Sequence, residues 1–254
     1  MGLLVSLISS ALCALLYVRM VKREIPEPMT KKQATTPVVI GLFAPILATL
    51  LVLGIAFTVK ALTGGRALAE LVRNPVLSSL LSSFLRAGFV EELVKFLLFL
   101  AIVKRLHPKN VYEYAVLMGG VGFGFTVLEE LTYGATNAVA GLMRLPGFAM
   151  HMVIGLIMGL FLGLARYKKQ QGESGSRETC LALLLPMLYH TVYDAASVAN
   201  VALSSEDDYV QFQGLIVGIV VIAVSIVLQF ALLILFKKRT EKYCGMEIAK
   251  GVVE

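Results

Sequence analysis

Two adjacent carboxylates and a lysine, Glu91-Glu92-x-x-Lys95, stand inside the apolar run Val76–Val103, which is long enough to cross a bilayer. An ionisable side chain near the membrane centre costs roughly 2.5–3.5 kcal/mol on insertion scales, so each needs a partner, a proton, a water-filled cavity or a metal. Glu91 and Lys95 are four residues apart and can neutralise one another on one helix face. Glu92, turned by about 100° around the helix, is left unexplained by that pairing. The other ionisable groups within apolar runs are Arg86, Glu129, Glu130, His151, His190 and Asp194. Five carboxylates against two fixed cations leave a formal deficit of 5 − 2 = 3. Protons, a charged histidine or a divalent cation would offset it.

Spacing groups these residues further. Phe125 with Glu129, and His190 with Asp194, are i,i+4 pairs, so each pair shares a helix face. His190 above Asp194 suits a histidine whose second nitrogen is oriented by a carboxylate, as general bases and metal ligands both require. A lone buried histidine is usually a satisfied core residue; two at the depth of several carboxylates point to a site. Arg86, a turn outside Glu91, can pair with Glu92, Glu130 or a lipid headgroup. His107 sits in the basic loop Lys104–Lys109 and reads as solvated. Ser78, Ser79, Ser82 and Ser83 have no activating base at their spacing, and His-Glu-x-x-His is absent. Cys13, Cys180 and Cys244 are scattered, which indicates neither a disulfide framework nor a cysteine metal site.

The elements that must position these groups are membrane helices. With 57% hydrophobic and only 16% charged residues, the 254-residue chain cannot be a soluble globule. It reads as all-α, one polytopic bundle over residues 1–254, with seven apolar runs near 3–19, 38–59, 76–103, 114–143, 147–164, 180–203 and 212–236. Seventeen Lys/Arg follow runs one, three, five and seven, against four on the other side. The positive-inside rule therefore places the N-terminus outside and a C-terminal tail, 237–254, in the cytoplasm. In this setting the net charge of +6 argues for a bilayer rather than nucleic acid. Arg66–Arg73 could form a short helix on the outer surface, and Ser204–Asp208 an acidic outer loop. Gly155, Gly159 and Gly163, with Gly119, Gly120, Gly122 and Gly124, predict close helix approach.

Depth ties the two sets of observations together. At about 1.5 Å per residue, Glu91, Glu129, His151, His190 and Asp194 lie roughly 20, 23, 22, 15 and 21 Å from the basic ends of their helices. Four helices bounded by separate loops thus bring their polar groups to one layer, from mid-membrane to the outer half.

These residues resemble a known family. Glu91-Glu92-x-x-Lys95, Phe125-x-x-x-Glu129 within Gly122-Phe123-Gly124-Phe125 to Tyr133, His151 followed by Gly159, and His190-x-x-x-Asp194 look like the four motifs of the PrsW intramembrane proteases. That family is distantly related to the type II CAAX prenyl endopeptidases and to the APH subunit of gamma-secretase. The motifs fall on the central helices, about 76–203. The resemblance implies a site-1 protease cleaving a single-span membrane protein, such as an anti-sigma factor, near the extracytoplasmic side of the cell membrane. Glu129 stands where the CAAX enzymes have histidine, so prenyl-protein chemistry is not implied, and Glu130 stands where asparagine is common.

On this reading Glu91, beside Glu92, is the general base and then the proton donor to the leaving amine. Glu129, His151 and His190 hold the water and oxyanion directly, or hold a divalent metal such as zinc that does so. Asp194 orients His190, Lys95 keeps one glutamate ionised, and Phe125 supports Glu129. The chemistry is open between metal-dependent and metal-free hydrolysis. Two other classes fit the same residues: a proton-coupled transporter and a non-catalytic membrane scaffold. Nothing in the pattern sets an oligomeric state.

Overall fold

The structure, a computed structural model, describes residues 2–25, 27–66, 72, 75–136, 145–194 and 208–249. The expected outer-surface helix over 66–73, the loop 204–208 up to Asp208, and the ends of the fourth and sixth apolar runs lie outside these residues. Every regular element described is helical, and the bundle is a multi-pass membrane protein.

Helix α1 (Gly2–Val21) and helix α2 (Lys31–Leu62) start the bundle. A capping box opens α2: the Thr30 hydroxyl accepts from the Gln33 amide, and the Gln33 side chain accepts from the Thr30 amide. Two prolines, Pro37 and Pro45, lie inside α2; each lacks the N–H that would tie it to the preceding turn.

The third apolar run is not one continuous α-helix. It consists of α3 (Pro75–Ser83), a π-helical segment (Phe84–Glu91) and α4 (Glu92–Leu106). α4 stops at His107, which is exposed and left-handed at φ 47°, and Pro108 follows.

Helix α5 (Val111–Thr136) is the bundle's axis, and Tyr112, Tyr114, Leu117 and Met118 on it are fully buried. α6 (Met150–Gln170), entered through a 3-10 turn at Leu145–Gly147, lies along it. A Cβ on Gly122 would strike the His151 carbonyl, and one on Gly159 the Tyr114 carbonyl, so the two backbones touch where the glycine pattern predicted close approach. α2 packs on the opposite side, with Gly41 against Val121 and Gly124 against Val38.

α7 (Ser176–Asp194) packs on α6 and on the π-helical segment, and α8 (Asp208–Lys238) leans on the outside. Among the described residues five helices, α1, α2, α5, α6 and α8, are long and apolar enough to span by length and composition alone.

All the basic connections meet on one face. There Asn110 Nδ2 donates to Glu24 Oε1 at 3.2 Å, and Tyr112 Oη to the Met20 carbonyl at 2.8 Å. The described part of residues 237–254 is bonded to the start of α5. After the short helix α9 (Thr240–Cys244), the Val111 amide bonds the Met246 carbonyl and the Ile248 amide bonds the Lys109 carbonyl.

Candidate active site

Four elements supply the site: the junction between the π-helical segment and α4, then α5, α6 and α7. Gly88 lets the π-helical segment lie against α7, since a Cβ there would meet Thr191 Oγ1 and the Met187 carbonyl. The wide turn ends at Glu91, and it changes which side chains face inward; π-helical turns recur at functional sites.

The centre of the cluster is a dry layer. Glu92, Lys95, His151 and His190 are all buried, with 0–2% exposure. Lys95 Nζ donates to Glu92 Oε1 at 2.7 Å, lies 3.0 Å from His151 Nδ1, and sits 3.7 Å from the centroid of the Phe125 ring. Glu92 Oε1 also lies 2.7 Å from His190 Nδ1. His151 Nε2 is 2.6 Å from Glu129 Oε2, and Phe125 packs 4.5 Å from the His151 ring centroid.

Donor and acceptor chemistry assigns the tautomers. An ammonium can only donate, so His151 Nδ1 accepts from Lys95, and its Nε2 carries the hydrogen given to Glu129. Glu92, an ionised acceptor beside Lys95, takes the Nδ1 hydrogen of His190. That leaves the lone pair of His190 Nε2 free.

In front of the dry layer lies a wetter one. Glu91, Glu129 and Asp194 have 17%, 16% and 24% side-chain exposure and line a cavity of about 290 Å³, together with Pro45, Thr49 and Arg86. The free His190 Nε2 lies 3.9 Å from Glu91 Oε2 and 3.9 Å from Asp194 Oδ1. Those gaps exceed a direct hydrogen bond and suit an intervening water.

The structure departs from the sequence expectations in four respects. Glu92, unexplained by the i,i+4 pairing, is the central acceptor, because Lys95 reaches it at i,i+3 more closely than it reaches Glu91 at 3.9 Å. Glu92 rather than Asp194 bonds His190. The candidate ligand atoms that converge, all within 4.8 Å of one another, belong to Glu91, His151 and His190, whereas Glu129 is engaged by His151. Arg86 pairs with neither Glu92 nor Glu130 among the described residues; it is exposed and lines the cavity. Glu130 is buried on the side of α5 that meets α1, where its backbone carbonyl accepts from the Ser6 hydroxyl. Pro45 and Thr49 of α2 were not anticipated, for an uncharged cavity wall carries no sequence signal. The role of Glu92 could have been found by weighing i,i+3 equally with i,i+4.

The model of the family described as "PrsW family intramembrane metalloprotease" matches residues 37–229, more than half of the chain. The chain is similar to Protease PrsW of Bacillus subtilis, at 34% identity over 115 residues, covering 44% of this chain and 52% of that protein. It is also similar to Protease PrsW of Halalkalibacterium halodurans, at 32% identity with 46% and 54% covered. A third relative, Protease PrsW of Oceanobacillus iheyensis, is 29% identical over 195 residues, 74% of this chain and 79% of its own length. The chain thus spans about half the length of the first two curated relatives. No solved structure matches it.

Proposed function

The chain belongs to the PrsW family of intramembrane metalloproteases, and from that premise we propose that it hydrolyses a peptide bond of a single-span membrane protein within or near the bilayer. The observation that carries this reading is His190. Its Nδ1–H is held by a fully buried Glu92, and its free Nε2 faces Glu91 and Asp194 across 3.9 Å at the edge of a cavity.

Glu91 Oε2 is buried without a hydrogen-bond partner among the described residues, so it is poised to take a proton from a water lodged between itself and His190 Nε2. The water oxygen attacks the scissile carbonyl carbon, and the proton it loses passes through Glu91 to the leaving nitrogen as the C–N bond breaks. The guanidinium of Arg86, which lines the cavity, is a donor for the charge that develops on the carbonyl oxygen, and the Nε2–H of His151, oriented by Lys95, joins it only by releasing Glu129. Lys95 holds Glu92 as an anion, which keeps His190 in the tautomer with a free Nε2. A substrate of the anti-sigma-factor kind, cut toward the extracytoplasmic side, fits a pocket at this depth.

The donor set also fits a divalent cation such as zinc. The orphaned Glu91 Oε2 and the free His190 Nε2 would hold it, and His151 Nε2 would join only by releasing Glu129. A bound ion would supply Lewis acidity and a more acidic water.

Co-expression with a single-span reporter tests the proposal. Glu91→Gln should lower cleavage by about 10²–10⁴-fold, the usual contribution of a positioned acid–base group. Cleavage retained in this variant removes Glu91 as the base. Ion-coupled flux in liposomes without any cleavage would establish the carrier reading instead. Metal analysis of purified wild type beside Glu91→Gln and His190→Ala decides the cofactor, since both variants should lose a genuine ion.

A further inference from the structure

Helix α8 stands apart from its neighbours. It is tied to α7 by Tyr189 Oη donating to the Ser225 carbonyl at 2.9 Å, and to α5 by Phe236 stacked on Tyr112 with centroids 5.2 Å apart. Between these ties, two clefts flank it. One, of about 330 Å³, runs between α1 and α8 past Leu12, Leu16 and Leu233 and ends at Arg19, Arg23 and Lys237. The other, of about 480 Å³, is almost wholly apolar between α6, α7 and α8 and ends at Arg239 and Tyr243. Among the described residues no carboxylate lines either cleft, in contrast to the active-site cavity with its three.

We infer that the α1/α8 cleft is a binding site for an anionic phospholipid of the leaflet at the basic face, its acyl chain along Leu12, Leu16 and Leu233 and its phosphate against Arg19, Arg23 and Lys237. Three features favour this occupant. The cleft follows α1 for seven residues from Leu12 to Arg19, roughly 10 Å, which lies within the hydrocarbon depth of one leaflet. An open apolar cleft in a bilayer leaves its walls without contact partners unless a chain fills it. Basic pockets between membrane helices on the cytoplasmic side, where the charge rule assigns this face, select anionic headgroups. Another membrane helix could satisfy the apolar wall, but it would leave three converging cations without counter-charge. The neighbouring cleft, with Arg239 at its mouth, borders the same helix.

The test is native mass spectrometry of the full chain, titrated with phosphatidylglycerol or phosphatidylcholine. The wild type should retain phosphatidylglycerol selectively. R19Q/R23Q/K237Q should weaken that retention on the order of a hundredfold, at roughly fivefold per cation removed. Leu233→Trp, which fills the cleft and leaves every charge in place, should weaken it about tenfold. K31Q/K32Q, which removes two exposed cations outside the cleft, should leave it unchanged. Equal binding of the two lipids overturns the inference, as does equal loss in the control and the triple variant. Undiminished retention in Leu233→Trp would reduce the effect to general surface charge. A stable dimer without retained lipid would make a second copy the occupant.

Discussion

Glu92 and Lys95 show how one buried charge decides the behaviour of its neighbours. Both have no exposure, and each is tolerable in the bundle only because the other is 2.7 Å away. Removing one partner of such a pair costs about 3–5 kcal/mol, whereas replacing both with apolar groups is often near neutral. Lys95→Met should therefore lower thermal stability in detergent sharply, and E92L/K95M should recover most of it. A single variant as stable as wild type would show that the pair is not the constraint described. The double variant should remain inactive, since His190 loses the acceptor that fixes its tautomer. Glu92→Gln keeps an acceptor for the His190 Nδ1–H but loses the charge, so kcat should fall about 10–100-fold with KM little changed in steady-state kinetics on a reporter peptide, beside the loss of stability that an uncompensated Lys95 brings.

At the scale of elements, the site depends on two close approaches rather than on helix propensity. Gly122 lets α5 touch α6 at His151, and Gly88 lets the π-helical segment touch α7 one residue beyond His190. Alanine normally gains about 1 kcal/mol over glycine inside a helix. Here the added Cβ at Gly122 meets a backbone carbonyl, which cannot swing aside, and overpacking costs about 1–3 kcal/mol. Gly122→Ala should lower both the melting temperature and kcat, because it displaces His151 itself. Gly159→Ala, two turns nearer the basic face on the same seam, should lower the melting temperature comparably and disturb kcat less. Equal effects on kcat would mean that the seam moves as one rigid unit.

The whole molecule is closed at its basic face by a network that no single helix contains. Glu24 is held there beside Asn110, Glu113 and Lys109. Burial, then a hydrogen bond shared with the Glu113 carboxyl and that group's charge, push Glu24 up from the ordinary 4.5 to about 8, against the opposing pull of Asn110 and Lys109. The native protein therefore keeps a proton that the unfolded chain gives up. This contribution to stability is complete below pH 4.5 and is lost as pH rises through about 8. Thermal melts of wild type and Glu24→Gln should show wild type losing ground to the variant across that window. A wild type that gains on the variant as pH rises would contradict the shared proton.

Much of this was legible in the chain. Apolar run length fixes the all-α membrane class, since only helices satisfy their backbone groups within one segment of hydrocarbon. The same logic makes Glu91, Glu92, Lys95, Glu129, His151, His190 and Asp194 conspicuous, because charge in an apolar run has few bland explanations. Rise per residue even puts these groups at one depth. What the sequence left open was their pairing around the helix axis. The i,i+4 rule offered Glu91 as a partner for Lys95 and Asp194 as one for His190, while the folded chain gives both Lys95 and His190 to Glu92. The reason is rotational. A π-helical turn and a glycine contact between separate helices set which way each side chain faces, and that contact, Gly88 on Thr191 and Met187, joins segments about a hundred residues apart.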